Sequence, residues 1–139
     1  MYTRVIKSKL KQDYFGWIND NGYSISSPKH RGYYAEMVFR GHCIENGITS
    51  IKINPHFSVL EQIPAYFLKK IQQKELKKLG KIGLDFFCFG RKGGYFAALK
   101  MGTGNLNQSQ RKLIPEMEKN RVFLFRVFED GDIFIKRLN

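Results

Sequence analysis

The feature that most constrains this fold is a pair of apolar segments separated by glycines. "IGLDFFCF" (82–89) and "YFAALKM" (95–101) both have the composition of β-strands, and "GRKGG" lies between them. Glycine adopts the positive φ values that tight hairpin turns require. The stretch therefore predicts a β-hairpin, and a loop over 90–93 sets Phe89 opposite Gly94.

The same register brings an acid and an amine together. Continued along the two strands, it sets Asp85 opposite Ala98. Side chains alternate along a strand, so Ala98 and Lys100 share a face, and Asp85 is expected on that face as well. Such a pair is either a structural ion pair or part of an active site.

The rest of the chain predicts a mixed α/β or α+β domain around a central sheet. Apolar spacing distinguishes helices from strands, and glycine, proline and asparagine mark the turns. The predicted elements are a helix over 4–18, a loop over 19–32 with a short strand at 23–25, a helix over 33–45, a strand over 48–54, helical segments over 58–81, the hairpin, a helix over 108–119, and a second hairpin with strands at 121–128 and 132–138.

Charge is the strongest global property of the chain. It has 24 Lys and Arg residues against 12 Asp and Glu residues, a net charge of +12. Solubility needs only a few net charges, so this excess favours binding to a phosphate backbone, with an anionic membrane or an acidic protein as alternatives. The predicted nucleic-acid contacts are Lys69, Lys70, Lys74, Lys77, Lys78, Arg91, Lys92, Arg111 and Lys112.

Length and cysteine content suggest one intracellular domain. The chain of 139 residues has no apolar run of the ~20 residues that a membrane span needs. Its N-terminus lacks the apolar core of a signal peptide. Cys43 and Cys88 form neither a CxxC motif nor a disulfide framework. We therefore expect no membrane partner and a reducing location, cytoplasmic or nucleoid-associated.

The segment 80–114, "GKIGLDFFCFGRKGGYFAALKMGTGNLNQSQRKLI", resembles the core of the PD-(D/E)XK nucleases, and is closest to the VRR-NUC and Holliday-junction-resolving branches. That family has an aspartate on one strand, a carboxylate-x-Lys on the next, and then a helix that opens with a glutamine motif. Asp85, Lys100 and Gln110 match the aspartate, the lysine and the glutamine. Glu36 matches the glutamate of the family's first helix.

The resemblance covers about 33–128 of a single domain over 1–139, with an N-terminal extension over 1–30. It implies a restriction-endonuclease-like fold, in which a central mixed sheet is flanked by helices, with a helical insertion near 57–80. It also implies a Mg²⁺-dependent (or Mn²⁺-dependent) DNA endonuclease, with branched DNA as a substrate class and a homodimer as the assembly.

The resemblance assigns a role to each site residue. Asp85 and the backbone carbonyl of Leu99 would bind the metal, and Glu36 would hold a metal-bound water or a second ion. Lys100 would orient or deprotonate the attacking water, or stabilise charge on the phosphate. Gln110 would position phosphate or water. From its spacing alone, Gln110 could equally complete a helix-capping box with Asn107.

Ala98 departs from the family pattern and puts catalysis in doubt. It could be an engineered carboxylate-to-alanine change, or the mark of a natural relative that only binds DNA. The carboxylate could also have migrated, with Glu36 as the leading substitute, or the motif could be mistaken. We therefore expect an endonuclease that is inactive or impaired. The alternatives are a catalytically dead nucleic-acid-binding or regulatory module, and a nuclease subunit of a mobile element or restriction system.

Overall fold

The computed structural model describes residues 3–9, 12–53, 84–116 and 122–139. The predicted helical insertion near 57–80 lies outside the described residues. So do five of the predicted nucleic-acid contacts, namely Lys69, Lys70, Lys74, Lys77 and Lys78.

A six-stranded mixed sheet forms the centre of the molecule. Its strands are β1 (Thr3–Ile6), β2 (Thr49–Lys52), β3 (Phe86–Gly90), β4 (Gly93–Met101), β5 (Val122–Val127) and β6 (Ile133–Arg137). They lie in the order β1-β6-β5-β4-β3-β2. Strands β4 and β5 run parallel, whereas the other four neighbouring pairs are antiparallel. A parallel neighbour requires a crossover connection, and that crossover contains the third helix.

Three α-helices accompany this sheet in the described ranges, and each begins at a side-chain cap. The oxygens of Asp13, Ser27 and Asn107 accept hydrogen bonds from backbone N–H groups in the first turn of their helices. Such caps satisfy donors that have no partner within the helix. The helices are α1 (Tyr14–Asp20), α2 (Pro28–Glu45) and α3 (Gln108–Leu113), and a 3₁₀ turn at Ile114–Glu116 follows α3.

Apolar side chains cover both faces of the sheet. The first core cluster joins α1 and α2 to one face, and Phe39 at its centre contacts Phe86 and Phe125 with ring centroids 4.9 and 4.8 Å apart. The second cluster lies on the other face and includes Ile114, just after α3. The chain is thus a mixed α+β protein with helices on both faces of a mixed sheet, which confirms the predicted fold class at that level.

The predicted helix over 4–18 is wrong. Its first residues form β1, which pairs with β6, and its last residues belong to α1. The edge of β6 offers unpaired backbone groups, and pairing with them outweighs the helical spacing of a few apolar residues. The carboxylate of Asp132 also holds this segment, because it accepts hydrogen bonds from the Ser8 N–H (2.8 Å) and from Lys7 Nζ (2.9 Å).

The loop predicted over 19–32 is too long, and the short strand at 23–25 is absent. Helix α2 begins at Pro28, five residues earlier than predicted, because Ser27 caps it and proline suits the first helical position. Residues 23–25 form no strand, and the Ile25 carbonyl instead accepts a hydrogen bond from the Tyr14 hydroxyl at 2.9 Å.

Strand β2 (Thr49–Lys52) is shorter than the predicted 48–54, whereas the second predicted hairpin is confirmed as β5 and β6. Helix α3 ends earlier than the predicted residue 119. Pro115 has no backbone N–H and cannot donate an α-helical hydrogen bond, so the chain continues as the 3₁₀ turn at Ile114–Glu116.

Candidate functional site

The central hairpin has the predicted register. Phe89 pairs with Gly94 and Gly90 with Gly93. The turn is only two residues long (91–92). Gly93 follows it with a φ of 109°, a backbone conformation that residues with a side chain rarely adopt.

The register changes at Asp85, the residue just before β3, where this segment has one residue more than the opposing segment of β4. Phe86 pairs with Ala97, and the Asp85 N–H donates to the carbonyl of the same Ala97 at 3.0 Å. Asp85 and Phe86 therefore both oppose the single residue Ala97, which is the arrangement of a β-bulge. Leu84 and Phe87 also share the second cluster, although residues three apart in a regular strand face opposite sides.

The bulge replaces the predicted pairing of Asp85 with Ala98. The Oδ2 atom of Asp85 accepts a hydrogen bond from the Leu99 N–H at 2.7 Å. Backbone N–H groups of a strand point within the plane of the sheet, toward the neighbouring strand. The carboxylate therefore lies beside β4, near the plane of the sheet, where a backbone carbonyl of β3 would otherwise accept this bond.

Burial, a hydrogen bond and neighbouring charges all affect the pKa of this carboxyl group. Burial is the largest effect and raises the pKa of Asp85, and Glu36 raises it further. The hydrogen bond from Leu99 and the positive charges of Lys100 and Lys52 oppose these effects without cancelling them. Glu36, Lys52 and Lys100 therefore each lie within electrostatic reach of Asp85.

Glu36 forms ion pairs with two basic residues. Its Oε1 lies 3.2 Å from Arg40 Nη2, one helical turn along α2, and its Oε2 lies 3.0 Å from Lys52 Nζ on β2. Lys52 pairs with Phe86 across the sheet and so belongs to the face that α2 covers. Glu36 thus links α2 to β2, and neither of its oxygens is free of a cation.

Ala98 is completely buried, with 0% of its surface exposed. It belongs to the second cluster, whose other buried members are Leu84, Phe87, Phe96, Ile114, Val122 and Leu124. A carboxylate at this position would begin in apolar surroundings. Lys100 lies two residues further along the same face and is half-buried. In the parallel ladder it stands opposite Arg126 of β5.

Gln110 is buried (1% exposed) and completes a capping box. Its N–H donates to Asn107 Oδ1 at 2.8 Å, and its Oε1 accepts from the Asn107 N–H at 3.0 Å. The capping interpretation of this residue is confirmed. A role in positioning phosphate stays a prediction.

The described basic candidates do not surround Asp85. Arg91 and Lys92 form the exposed hairpin turn. That turn is six residues from Asp85, or about 20 Å along an extended strand. Arg111 and Lys112 are exposed on α3, which follows β4 on the Ala98 side of the sheet.

The described residues bring together fewer carboxylates than the Mg²⁺ site that the resemblance implies. Magnesium requires oxygen ligands in octahedral geometry. The described residues contain no group of three His, Cys, Asp or Glu side chains that could hold a metal ion. Asp85 supplies one carboxylate, Glu36 is engaged by two cations, and Ala98 supplies none.

Lys52 is the site residue that sequence reasoning missed. It stands between Ile51 and Ile53, and this alternation marks a strand with one polar side. The alternation does not reveal that Lys52 contacts Glu36, because that contact depends on how α2 packs over β2.

No protein-family model, curated protein or solved structure matches this chain. In the part of the chain that the structure describes, no helix is long and apolar enough to cross a membrane.

Proposed function

We propose that this chain is a nucleic-acid-binding protein with a PD-(D/E)XK-type nuclease core, and that its Mg²⁺-dependent DNA hydrolysis is impaired by the missing carboxylate at Ala98. One observation carries the proposal. The partly buried Asp85 carboxylate accepts a hydrogen bond from the Leu99 N–H at 2.7 Å, one residue before Lys100, and the charges of Lys100 and Lys52 act on its pKa against the larger effect of burial. A perturbed acid beside a cationic partner is a candidate functional group.

The order of elements supports the same proposal. A helix with Glu36 precedes three antiparallel strands, a capped helix with Gln110 follows, and the next strand lies parallel to β4. This arrangement has the mixed sheet and flanking helices that the resemblance implies. The restriction-endonuclease-like fold is therefore part of the proposal.

The residues of the chain suggest a division of roles. Lys100 would bring a positive charge to a phosphate placed at the end of β4, where it would stabilise negative charge in the transition state. Asp85 holds the start of β3 against β4 through the Leu99 N–H, which positions Lys100 one residue further on. In the family, Mg²⁺ supplies the activated water. Asp85 is the described carboxylate that would hold this ion, and the ligand that the family has at position 98 is absent.

A catalytically silent module is the second candidate. It is favoured by the complete burial of Ala98 among large apolar side chains. Alanine fits this position without a buried charge, and a carboxylate there would have to be desolvated. On this alternative, the chain binds nucleic acid through its excess of 12 positive charges and cleaves nothing.

Cleavage assays with matched variants distinguish the two candidates. We would incubate supercoiled, linear and branched DNA with the native chain, Ala98→Glu, Ala98→Gln and the double variant Ala98→Glu/Asp85→Asn, with Mg²⁺ and with EDTA. We expect Mg²⁺-dependent cleavage by Ala98→Glu that exceeds the native level. Ala98→Gln and the double variant should stay at or below the native level. Ala98→Asp, which is smaller, serves if Ala98→Glu does not fold.

The outcomes separate cleanly. A folded Ala98→Glu that binds DNA and cuts nothing supports the silent module and contradicts the nuclease proposal. Absence of binding to any nucleic acid contradicts both candidates. The proposal also includes a homodimer and branched substrates. Sedimentation of the chain with and without a four-way DNA junction tests both.

A further inference from the structure

A cluster of aromatic side chains lies around the start of α2, the helix that also carries Glu36. Tyr23 and Tyr33 are 38% and 40% exposed, and the partly buried Trp17 and His30 pack against them. These four side chains are called the aromatic platform below. Single exposed apolar residues are common on protein surfaces, whereas a contiguous patch often marks a binding site.

The rings of the platform contact one another. Tyr23 stacks on His30 with centroids 4.4 Å apart and an angle of 22° between the planes. Tyr33 lies 6.0 Å from Tyr23 and 5.9 Å from His30, and Trp17 lies 5.3 Å from Tyr23. Tyr23, Tyr33 and His30 therefore form one group of contacting rings, which Trp17 joins through Tyr23.

Hydrogen bonds hold the platform in place. The Ser24 N–H donates to His30 Nδ1 at 2.9 Å, and the Tyr23 N–H donates to the Ile18 carbonyl at 3.0 Å. The loop and the start of α2 are thus fixed before any ligand arrives. A preformed stacking surface loses less conformational freedom on binding than a mobile one.

A positive charge accompanies the platform. Lys29 Nζ lies 5.8 Å from the centroid of Tyr33 and forms no ion pair with a described residue. Arg31 is different, because Glu129 engages it at 3.2 Å. The ligand that complements this surface therefore has flat apolar rings and negative charge.

The platform lies on the same side of α2 as Glu36. Lys29, Tyr33, Glu36 and Arg40 are spaced by four, three and four residues, which places them on one face of the helix. Tyr33 and Glu36 are three residues apart, or about 4.5 Å along the helix axis. A strand that lies over Tyr33 would continue toward Glu36 and its ion-pair partner Lys52.

We infer that the aromatic platform binds single-stranded nucleic acid by stacking unpaired bases on Tyr33 and Tyr23, while Lys29 contacts the phosphate backbone. This inference rests on the proposed nucleic-acid binding and adds the form of the ligand. Aromatic surfaces flanked by basic residues recognise single strands in this way, and base stacking does not depend on sequence. A duplex keeps its base faces buried between neighbouring base pairs, so it cannot use the platform.

Binding measurements with matched variants test the inference. Fluorescence anisotropy would be recorded with labelled oligo(dT), labelled oligo(rU) and a labelled DNA duplex of the same length. Loss of one stacked base predicts that Tyr33→Ala weakens single-strand binding by roughly 10-fold, with duplex binding changed by less than about 2-fold. Tyr33→Phe keeps the ring and should bind normally. Phe134→Ala, which removes an aromatic ring with 36% exposure on β6, is the control.

A second readout uses the single tryptophan of the chain, Trp17. Unlabelled oligo(dT) should quench its fluorescence in the native chain and to a smaller extent in Tyr23→Ala, which is the second variant for binding. Comparison of oligo(dT) with oligo(rU) shows whether the platform prefers DNA or RNA.

Three results would overturn the inference. They are unchanged single-strand binding by both Tyr33→Ala and Tyr23→Ala, equal losses on single strand and duplex, and an equal loss with Phe134→Ala. If the chain binds no nucleic acid, the proposed function fails as well. If Tyr33→Ala loses single-strand affinity while Ala98→Glu cuts nothing, the platform stands and the nuclease proposal fails.

Discussion

The carboxylate of Asp85 accepts a hydrogen bond from the backbone N–H of Leu99 at 2.7 Å. This bond connects the segment before β3 to β4 at the bulge, where regular pairing of the two strands stops. Asp85 therefore has a structural role besides any chemical role, and experiments on it must separate the two.

Removal of this acceptor should destabilise the fold. Asp85→Ala leaves the Leu99 N–H without a partner in a half-buried position, and we expect the free energy of unfolding to fall by about 1–3 kcal/mol. Asp85→Asn retains an oxygen that can accept the bond and should lose less. Urea denaturation measures both. Equal, negligible losses in the two variants would show that the bond contributes little.

The raised pKa of Asp85 makes its contribution depend on pH. Because the folded state binds this proton more tightly than the unfolded state, stability from this group is greatest below its ordinary value of 3.8 and falls as pH rises through the raised folded value. Relative to Asp85→Asn, the native chain should therefore lose stability as pH rises from about 4 toward neutrality. Denaturant titrations of both proteins across that range test this. A difference that is constant with pH would contradict the raised pKa.

Neighbouring charges should shift the pKa of Asp85 in opposite directions. Glu36→Gln removes a negative charge and should lower this pKa, whereas Lys100→Met removes a positive charge and should raise it. Carboxyl NMR titration of Asp85 measures both shifts. Lys7→Met is the control, because Lys7 pairs with Asp132 instead. Identical Asp85 titrations in all variants would show that Glu36 and Lys100 do not act on the Asp85 carboxyl group.

A carboxylate at position 98 should reduce stability through both volume and charge. Ala98→Gln inserts a similar volume without charge and should lose about 1–3 kcal/mol through overpacking of the second cluster. Ala98→Glu should be less stable than Ala98→Gln by roughly a further 1–3 kcal/mol at neutral pH, and the difference should shrink near pH 4 as the acid becomes protonated. Thermal unfolding at the two pH values checks this. Equal stability at neutral pH would show that the glutamate reaches water.

The cap of α3 offers a simpler test of the helix that carries Gln110. Asn107→Ala removes the side-chain acceptor for the Gln110 N–H and should cost about 1 kcal/mol of unfolding free energy, while Asn107→Asp should retain most of the stability. Denaturant unfolding compares the two. A loss in Asn107→Asp as large as in Asn107→Ala would contradict the capping role.

Much of the fold was predictable from local patterns. The hairpin register follows from apolar strand segments and their glycines, and the capping box follows from the spacing of Asn107 and Gln110. Interactions between residues close in sequence produce these features. The helix predicted over 4–18 was wrong because β1 forms only by pairing with β6, more than 120 residues away in the chain.

The sequence by itself determined the kinds of groups available: an excess of cations, an aspartate and a lysine in neighbouring strands, and an alanine at position 98. Tertiary structure alone decided how these groups meet. The extra residue at Asp85 turns its carboxylate toward the Leu99 N–H, and the packing of α2 over β2 brings Lys52 to Glu36. The physical reason is that a bulge and a helix–sheet contact depend on the whole sheet, because they satisfy backbone groups and bury side chains from distant segments.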